Sequence, residues 1–229
     1  MRLATIGFDA DDTLWHNERF FKETERRFAH LLAEYAEPEA VLDALIGTER
    51  RNVALYGYGI KGFALSMIET AGELAGGDPP GSVVREIVAM GREMLRHPVE
   101  LLPHVEATLD ALAGHRLVLV TKGDLFDQER KLEASGLAER FEAVEIVSEK
   151  TAATYASVFA RHGAGAERAA MVGNSLRSDV LPAIEAGAWG VHVPHEHLFA
   201  LEHAEPPEHD RFHAIDHLGE LPALIARLS

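Results

Sequence analysis

The strongest constraint on the fold is an alternation of short β-branched runs with helical segments in the second half of the chain. Four such runs follow residue 98, and a segment with helical periodicity separates each from the next. These runs are residues 117–120, 143–147, 169–172 and 190–193. Alternation of this kind favours a parallel sheet with helices on both faces. A first strand at about residues 3–8 is expected to join this sheet, which predicts an α/β fold.

A helical block separates the first strand from the others. Apolar residues at helical spacing predict four helices between about residues 16 and 97, and the block shows no strand pattern. Glycines and prolines in residues 76–81 interrupt it. We therefore expect an α/β core of residues 1–15 and 98–229, and an all-α domain of residues 16–97 inserted into it.

Three carboxylates and a threonine follow the first strand directly. Asp9 and Asp11 are two residues apart, so both side chains can lean to the same side at the end of a strand. Two carboxylates that close repel each other unless a cation or a shared proton separates them. Mg²⁺ takes oxygen ligands and keeps waters that a phosphate can displace. The pair therefore favours phosphoryl transfer, with one carboxylate as nucleophile and the other as general acid and base.

Two structural explanations compete for these carboxylates. An acidic N-cap of the next helix needs one such residue, not three. A calcium-binding loop needs glycine at its sixth position and glutamate at its twelfth. Leu14 and Phe20 occupy those positions in this chain, so the calcium loop is excluded.

Composition narrows the possible functions and partners. The 229 residues include no cysteine, which excludes disulfides, thiolate metal sites and a thiol nucleophile. The formal net charge of -15 argues against nucleic acid or an anionic membrane surface as a partner. Neither an apolar run of membrane-spanning length nor a charged-then-apolar leader is found. We expect a cytoplasmic monomer or homodimer.

Polar residues also follow the other predicted strands, where a parallel sheet places its chemistry. Thr121, Lys122 and Gly123 end the second strand, where a hydroxyl and backbone N–H groups can hold a phosphate oxygen. Lys150 follows the third strand at the start of a helix. A cation is electrostatically unfavourable at that end of a helix, so Lys150 requires an anionic partner.

In this order, the segments resemble the motifs of the haloacid dehalogenase-like (HAD) hydrolase superfamily. Residues 9–13 match its first motif, with Asp12 in place of a common glycine, and Thr121 matches the second. Lys150 matches the third motif and residues 173–179 match the fourth. The helical insertion resembles the superfamily's α-helical, C1-type cap. The resemblance implies a Rossmann-like core with this cap.

The same resemblance implies a phosphatase mechanism. Asp9 would attack phosphorus and become an aspartyl-phosphate. Asp11 would protonate the leaving oxygen and then activate the hydrolytic water. Thr121 and Lys150 would hold the phosphoryl oxygens of a small phosphorylated metabolite.

The resemblance also implies a Mg²⁺ site. Its ligands would be Asp9, the backbone carbonyl of Asp11 and the fourth motif. Asn174 stands where most family phosphatases carry aspartate, and an amide oxygen can still bind Mg²⁺. Asp179 would bind the metal or orient its waters and Lys150.

Two other functions remain open at this point. A 2-haloacid dehalogenase uses the same fold and an aspartate nucleophile. The dehalogenases that this chain resembles, however, need no metal and lack the second aspartate, which is Asp11 here. A non-catalytic or regulatory binding protein could keep the fold, and only Asn174 favours it.

The cap is expected to recognise the leaving group of the substrate, which is the part attached to the phosphate. Residues 49–61 combine two arginines, two tyrosines and a lysine, and Arg51, Tyr58 and Lys61 are candidates for a polar rim above the phosphate. An ordinary helix–helix turn with solvated charges explains the stretch equally well. The histidine-rich residues 195–210 are expected to form a surface loop before a last short helix, with His195 and His197 as the one pair worth testing for metal.

Overall fold

The computed structural model describes residues 3–228, which divide into two compact units. The first unit contains the described residues up to Asn17, Val99–Lys122 and the described residues from Gln128 onward. The second unit contains Glu18–Pro98 together with Gly123–Asp127. Residues 123–127 were expected in the core, but they cluster with the helices of the second unit.

A parallel sheet forms the centre of the first unit. Its strands are β1 (Thr5–Phe8), β2 (Arg116–Lys122), β3 (Ala143–Val147), β4 (Ala169–Gly173), β5 (Trp189–His192) and β6 (Phe212–Ala214). Their spatial order is β3-β2-β1-β4-β5-β6, and every adjacent pair in the described sheet is parallel. Because β1 lies between β2 and β4, the segments that follow these three strands meet at one edge of the sheet.

The α-helices of the described chain are numbered in sequence order. They are α1 (Glu18–Leu31), α2 (Pro38–Tyr56), α3 (Ile60–Ala75), α4 (Gly81–Arg96), α5 (Val105–Ala111), α6 (Leu125–Ser135), α7 (Ala152–Arg161), α8 (Leu181–Glu185) and α9 (Leu221–Leu228). The first four lie in the second unit.

The inner strands of the sheet are buried on both faces, as β2 shows. In β2, Leu117 and Leu119 belong to a core that includes side chains of α5 and α9. Val118 and Val120 belong to a separate core with side chains of α7. This two-residue alternation between two apolar cores is the pattern of a parallel strand covered by helices on both sides. The predicted α/β sheet is confirmed.

The second unit is a helical bundle with its own apolar core. Buried side chains from α1 to α4 make this core, and they include Phe28, Val41, Leu45, Phe63, Met67 and Ile87. The α2 helix continues to Tyr56, so residues 49–56 are helical and not part of a turn. The turn is confined to the residues between α2 and α3, where Gly57 and Gly59 have φ values of 72° and 113°. Glycine adopts these left-handed conformations without the steric cost that other residues have.

Two features of the C-terminal region differ from the sequence expectation. The β6 strand was not predicted, because its three residues are too few to show a strand alternation. Residues 195–210 include a short 3₁₀ helix, Ala200–Glu202, and Glu202 is buried, so this segment is not only a surface loop. No helix among residues 3–228 has the length and apolar character needed to cross a membrane.

Glu49 on α2 is a buried carboxylate whose charge opposes folding. Burial, and secondarily the charge of Glu25, raises its pKa to about 7, although Lys22 acts in the opposite direction. The folded pKa lies above the ordinary value of 4.5, so the stability present below pH 4.5 is lost as the pH rises towards 7. We expect Glu49→Gln to raise the free energy of unfolding by up to about 3 kcal/mol at pH 8 and by less than about 1 kcal/mol at pH 5.

Denaturant unfolding of wild type and Glu49→Gln at the two pH values tests this expectation. Asp43→Asn is the matched control, because Asp43 is an exposed carboxylate on the same helix. An equal increase in the free energy of unfolding at both pH values would show that packing, and not the charge of Glu49, changes the stability.

Candidate active site

Asp9 lies directly after β1 and is almost completely buried, with 7 % of its surface exposed. Lys150 Nζ donates a hydrogen bond to Asp9 Oδ1. Thr13 Oγ1 lies 3.1 Å from Asp9 Oδ2. Burial raises the pKa of Asp9 to about 7 against the opposing charge of Lys150, and the nearby Asp179 raises it further. One Asp9 oxygen thus contacts a cation and the other a hydroxyl.

Lys150 has the anionic partners that its position in the sequence required. Its Nζ contacts Asp9 and lies 2.7 Å from Asp179 Oδ1, and the residue is 6 % exposed. Burial alone lowers the pKa of Lys150, but the charges of Asp179 and Asp9 outweigh it and raise that pKa. Thr151, the next residue, caps α7 by accepting a hydrogen bond from the Thr154 backbone. The cation is therefore held between two carboxylates at the start of a helix.

Asp179 is oriented towards Lys150 by its own loop. Its Oδ2 accepts the backbone N–H of Ser175 at 3.0 Å, and Tyr155 Oη lies 3.5 Å from its Oδ1. A Cβ at Gly173 would collide with the Asp179 side chain, so glycine is required there. These contacts orient Asp179 towards Lys150, and its binding of a metal stays a prediction.

Asn174 shares Thr13 with Asp9. The Asn174 backbone N–H donates to Thr13 Oγ1 at 3.1 Å, and Asn174 Oδ1 lies 3.4 Å from the same oxygen. A carboxylate oxygen and an amide oxygen therefore lie beside one hydroxyl. Oxygen donors of this kind suit Mg²⁺, so the residues fit the ion that the resemblance implies.

Asp12 adopts the backbone conformation for which a glycine is common before Thr13. Asp12 has a φ of 60°, which is the left-handed region that glycine adopts most readily. Aspartate tolerates this region better than most residues do. Its Oδ1 accepts the backbone N–H of Asn17 at 2.9 Å and so closes the loop that carries Asp9 and Asp11.

Asp11 contacts a different set of side chains. Lys131 Nζ lies 2.7 and 2.8 Å from its two oxygens, Gln128 Nε2 donates to Oδ2 at 2.9 Å, and Trp15 Nε1 donates to Oδ1 at 2.7 Å. Burial by itself raises the pKa of Asp11, but Lys131, Gln128 and Trp15 together outweigh burial and hold that pKa below its usual value. In this arrangement Asp11 is a carboxylate with both oxygens occupied.

The residues at the end of β2 separate into different environments. Thr121 is buried in the strand, with 1 % exposure. Lys122 Nζ lies 2.8 Å from Ser178 Oγ and 2.5 Å from Glu202 Oε1, so its charge is matched by Glu202. Gly123 has a φ of 136° and clusters with the helical unit. Phosphate binding by Thr121, Lys122 and Gly123 stays a prediction.

The three cap candidates also differ in their contacts within the helical unit. Arg51 lies 2.6 Å from Glu73 and 3.3 Å from Glu69, which gives it a role in joining α2 to α3. Lys61 lies 2.9 Å from Asp124 and above the ring of Phe126. Tyr58 is partly exposed in the turn before α3.

The histidines of the C-terminal region form no metal cluster in the described chain. His195 Nδ1 lies 3.5 Å from Asp12 Oδ1, and its ring stands edge-on to that of His197. Within residues 3–228, no three side chains of the types His, Cys, Asp and Glu are grouped so that they could hold a metal ion.

Sequence reasoning missed Gln128, Lys131 and Glu202. Gln128 and Lys131 are three residues apart in α6, a spacing that predicts a shared helical face but not that this face contacts Asp11. Glu202 carried no such signal, because it lies in an irregular segment and its partners Lys122 and Ser178 come from distant parts of the chain.

The model of one protein family matches residues 3–187, and that family is described as haloacid dehalogenase-like hydrolase. A haloacid dehalogenase-like family hydrolase from Xanthomonas campestris is 40 % identical, with a TM-score of 0.89 over 99 % of this chain and 91 % of that one. The comparison with curated protein sequences gives no match.

Two more distant structures share the fold. The L-2-haloacid dehalogenase from Xanthobacter autotrophicus with covalently bound chloropropionic acid is 18 % identical, with a TM-score of 0.68 over 99 % of this chain and 100 % of that one. A predicted phosphoglycolate phosphatase from Haemophilus somnus is 18 % identical, with a TM-score of 0.63 over 98 % of each chain. At this identity the two structures support the fold alone.

Proposed function

Because this chain belongs to the haloacid dehalogenase-like hydrolases, we propose that it is a Mg²⁺-dependent phosphomonoesterase that forms an aspartyl-phosphate on Asp9. The substrate is a small phosphorylated metabolite. The observation that carries this proposal is the second aspartate, Asp11, two residues after a buried aspartate that contacts Lys150. A phosphatase uses both a nucleophile and a separate acid and base.

Asp9 is the nucleophile of the first step. An Asp9 oxygen forms a bond to phosphorus while the bond from phosphorus to the leaving oxygen breaks. Lys150 neutralises the charge around Asp9 and is placed to hold a phosphoryl oxygen, as an ammonium does in other phosphoryl-transfer sites. Asp11, when protonated, gives its proton to the leaving oxygen.

Asp11 also serves the second step. As a carboxylate it removes a proton from water, the water oxygen bonds to phosphorus, and the bond between phosphorus and Asp9 breaks. Phosphate leaves and Asp9 is a carboxylate again. The contacts of Asp11 with Lys131, Gln128 and Trp15 lower its pKa, which favours the carboxylate form that this step requires.

Asp9, Asn174 and the backbone carbonyl of Asp11 would hold Mg²⁺, which offsets the charge of the phosphoryl oxygens when bound. Asp179 would act by orienting Lys150, since its Oδ1 and Oδ2 accept from Lys150 and Ser175.

The distinguishing experiment measures two products from the purified wild-type protein. Phosphate release from p-nitrophenyl phosphate and from alkyl phosphates, present with Mg²⁺ and lost with EDTA, supports the proposal. Chloride release from 2-chloropropionate without added metal would instead indicate a dehalogenase. Neither product over a broad panel of phosphate esters would indicate a non-catalytic binding protein.

Asn174 provides a separate test of the metal site. We expect Asn174→Asp to lower the Mg²⁺ concentration for half-maximal activity by about tenfold, because a carboxylate attracts the cation more strongly than an amide does. Arg177→Gln is the control, since it makes the same loop more negative by one charge at an exposed position without adding a ligand. An unchanged Mg²⁺ requirement in Asn174→Asp, or an equal shift in Arg177→Gln, would remove Asn174 from the ligand set.

Recognition of the rest of the substrate is proposed for the helical unit. Arg51, Tyr58 and Lys61 are the candidates for this role, and the Lys61 ammonium lies 2.9 Å from Asp124 within that unit. Arg51 is already bound to two glutamates within the bundle.

A further inference from the structure

We propose that Lys131 and Gln128 are positioning residues that hold the Asp11 carboxylate in the orientation required for acid–base catalysis. This inference rests on the proposed phosphatase function and adds two residues that lie outside the four matched motifs. Both residues lie on α6, whereas Asp11 lies in the loop after β1.

The contacts around Asp11 form a closed set. Oδ1 accepts from Lys131 and Trp15, each at 2.7 Å, and Oδ2 accepts from Lys131 at 2.8 Å and Gln128 at 2.9 Å. Four donor contacts account for the usual acceptor capacity of a carboxylate. Gln128 Nε2 also donates to the Lys122 backbone carbonyl at 2.9 Å, so the holding amide is itself fixed to the end of β2.

The holding pair is buried enough to restrict the carboxylate. The Lys131 and Asp11 side chains are 9 % and 22 % exposed. Gln128 is 4 % exposed. A charge-assisted contact shielded from water defines a geometry more strictly than an exposed ion pair does. Asp11 therefore has one favoured orientation, set by α6.

This arrangement has a specific catalytic consequence. To protonate a leaving oxygen, Asp11 must turn one of its carboxylate oxygens towards that atom. This oxygen then gives up the hydrogen bonds that it accepts in the structure. Lys131 and Gln128 then keep the other oxygen fixed, so that the acid stays directed at the leaving group. Loss of this positioning should slow the first step most for substrates whose leaving group needs a proton.

The kinetic test compares alkyl phosphates with p-nitrophenyl phosphate in wild type, Lys131→Met and Lys131→Arg. We expect Lys131→Met to lower kcat/KM on alkyl phosphates about 100-fold and on p-nitrophenyl phosphate no more than about 5-fold, because kcat/KM reports the step that expels the leaving group and p-nitrophenolate leaves without a proton. Lys131→Arg should recover most of kcat/KM on alkyl phosphates. Glu133→Gln, an exposed change on α6, should match wild type.

A spectroscopic test follows Asp11 without reference to turnover. The chain has two tryptophans, and the indole N–H of Trp15 donates to Asp11 while Trp189 packs against His213. In a ¹H–¹⁵N spectrum of the full chain, Lys131→Met and Gln128→Leu should shift the Trp15 indole signal and leave the Trp189 signal in place. Trp189→Phe assigns the two signals.

The two tests separate the possible failures. Equal losses of kcat/KM on both substrate types, or an unmoved Trp15 signal in both variants, would overturn the positioning role. If Lys131→Met does not fold, Gln128→Leu and Lys131→Arg carry the same comparison. If wild type releases no phosphate, the proposed function fails, and the Trp15 signal still decides whether Lys131 holds Asp11.

Discussion

Asp9→Asn abolishes phosphate release, with an expected loss of kcat of at least about 10⁴-fold, the scale on which loss of a nucleophile affects other covalent enzymes. The amide has the shape of the carboxylate but cannot form an acyl phosphate. Brief reaction with ³²P-labelled substrate followed by acid quenching should leave label on the wild-type protein and none on the variant.

The fold should survive this substitution. The Asp9 pKa is raised to about 7 by burial, which means that its negative charge is held at a cost in stability. A neutral amide removes that cost, its oxygen can still accept a hydrogen bond from Lys150, and its NH2 group can donate to Thr13 Oγ1. A melting temperature equal to or above that of wild type is the expected control result. Turnover above a few per cent of wild type in folded Asp9→Asn would reject Asp9 as the nucleophile.

Lys150→Met should damage both stability and activity. Lys150 is 6 % exposed and contacts the carboxylates of Asp9 and Asp179. Its removal leaves two buried carboxylates without their cation, which typically costs about 3–5 kcal/mol of unfolding free energy. We also expect kcat to fall by about 10²-fold or more, because a preorganised charge on the phosphoryl group is lost.

A double variant separates these two effects. Lys150→Met combined with Asp179→Asn removes one of the two orphaned carboxylates, so it should recover part of the lost stability. It should recover no activity, because the ammonium is still absent. Chemical unfolding and phosphate release of the single and double variants provide the measurement. Wild-type activity in Lys150→Met would remove Lys150 from the mechanism, and recovered activity in the double variant would show that instability alone caused the loss.

Local sequence signals predicted much of the sheet and the main reactive groups. The strands β1 to β5 were predicted because each contains a short run of apolar or β-branched residues, a signal that needs no knowledge of the neighbouring strands. Asp9, Lys150 and Asn174 were found because each lies just after a strand, and the carboxyl ends of parallel strands share one edge. The order of the motifs along the chain indicated the protein family.

Only the tertiary structure decided which groups surround the acid–base residue. Lys131 contacts Asp11 from 120 positions away, and Glu202 contacts Lys122 from 80 positions away. Such pairs depend on where whole helices and loops pack, so neither residue's neighbours in sequence reveal them. The same holds for β6, whose three residues become a strand through backbone pairing with β5. Strand pattern and strand-end chemistry are local properties, whereas the partners of a buried charge are set by the packing of segments distant in the chain.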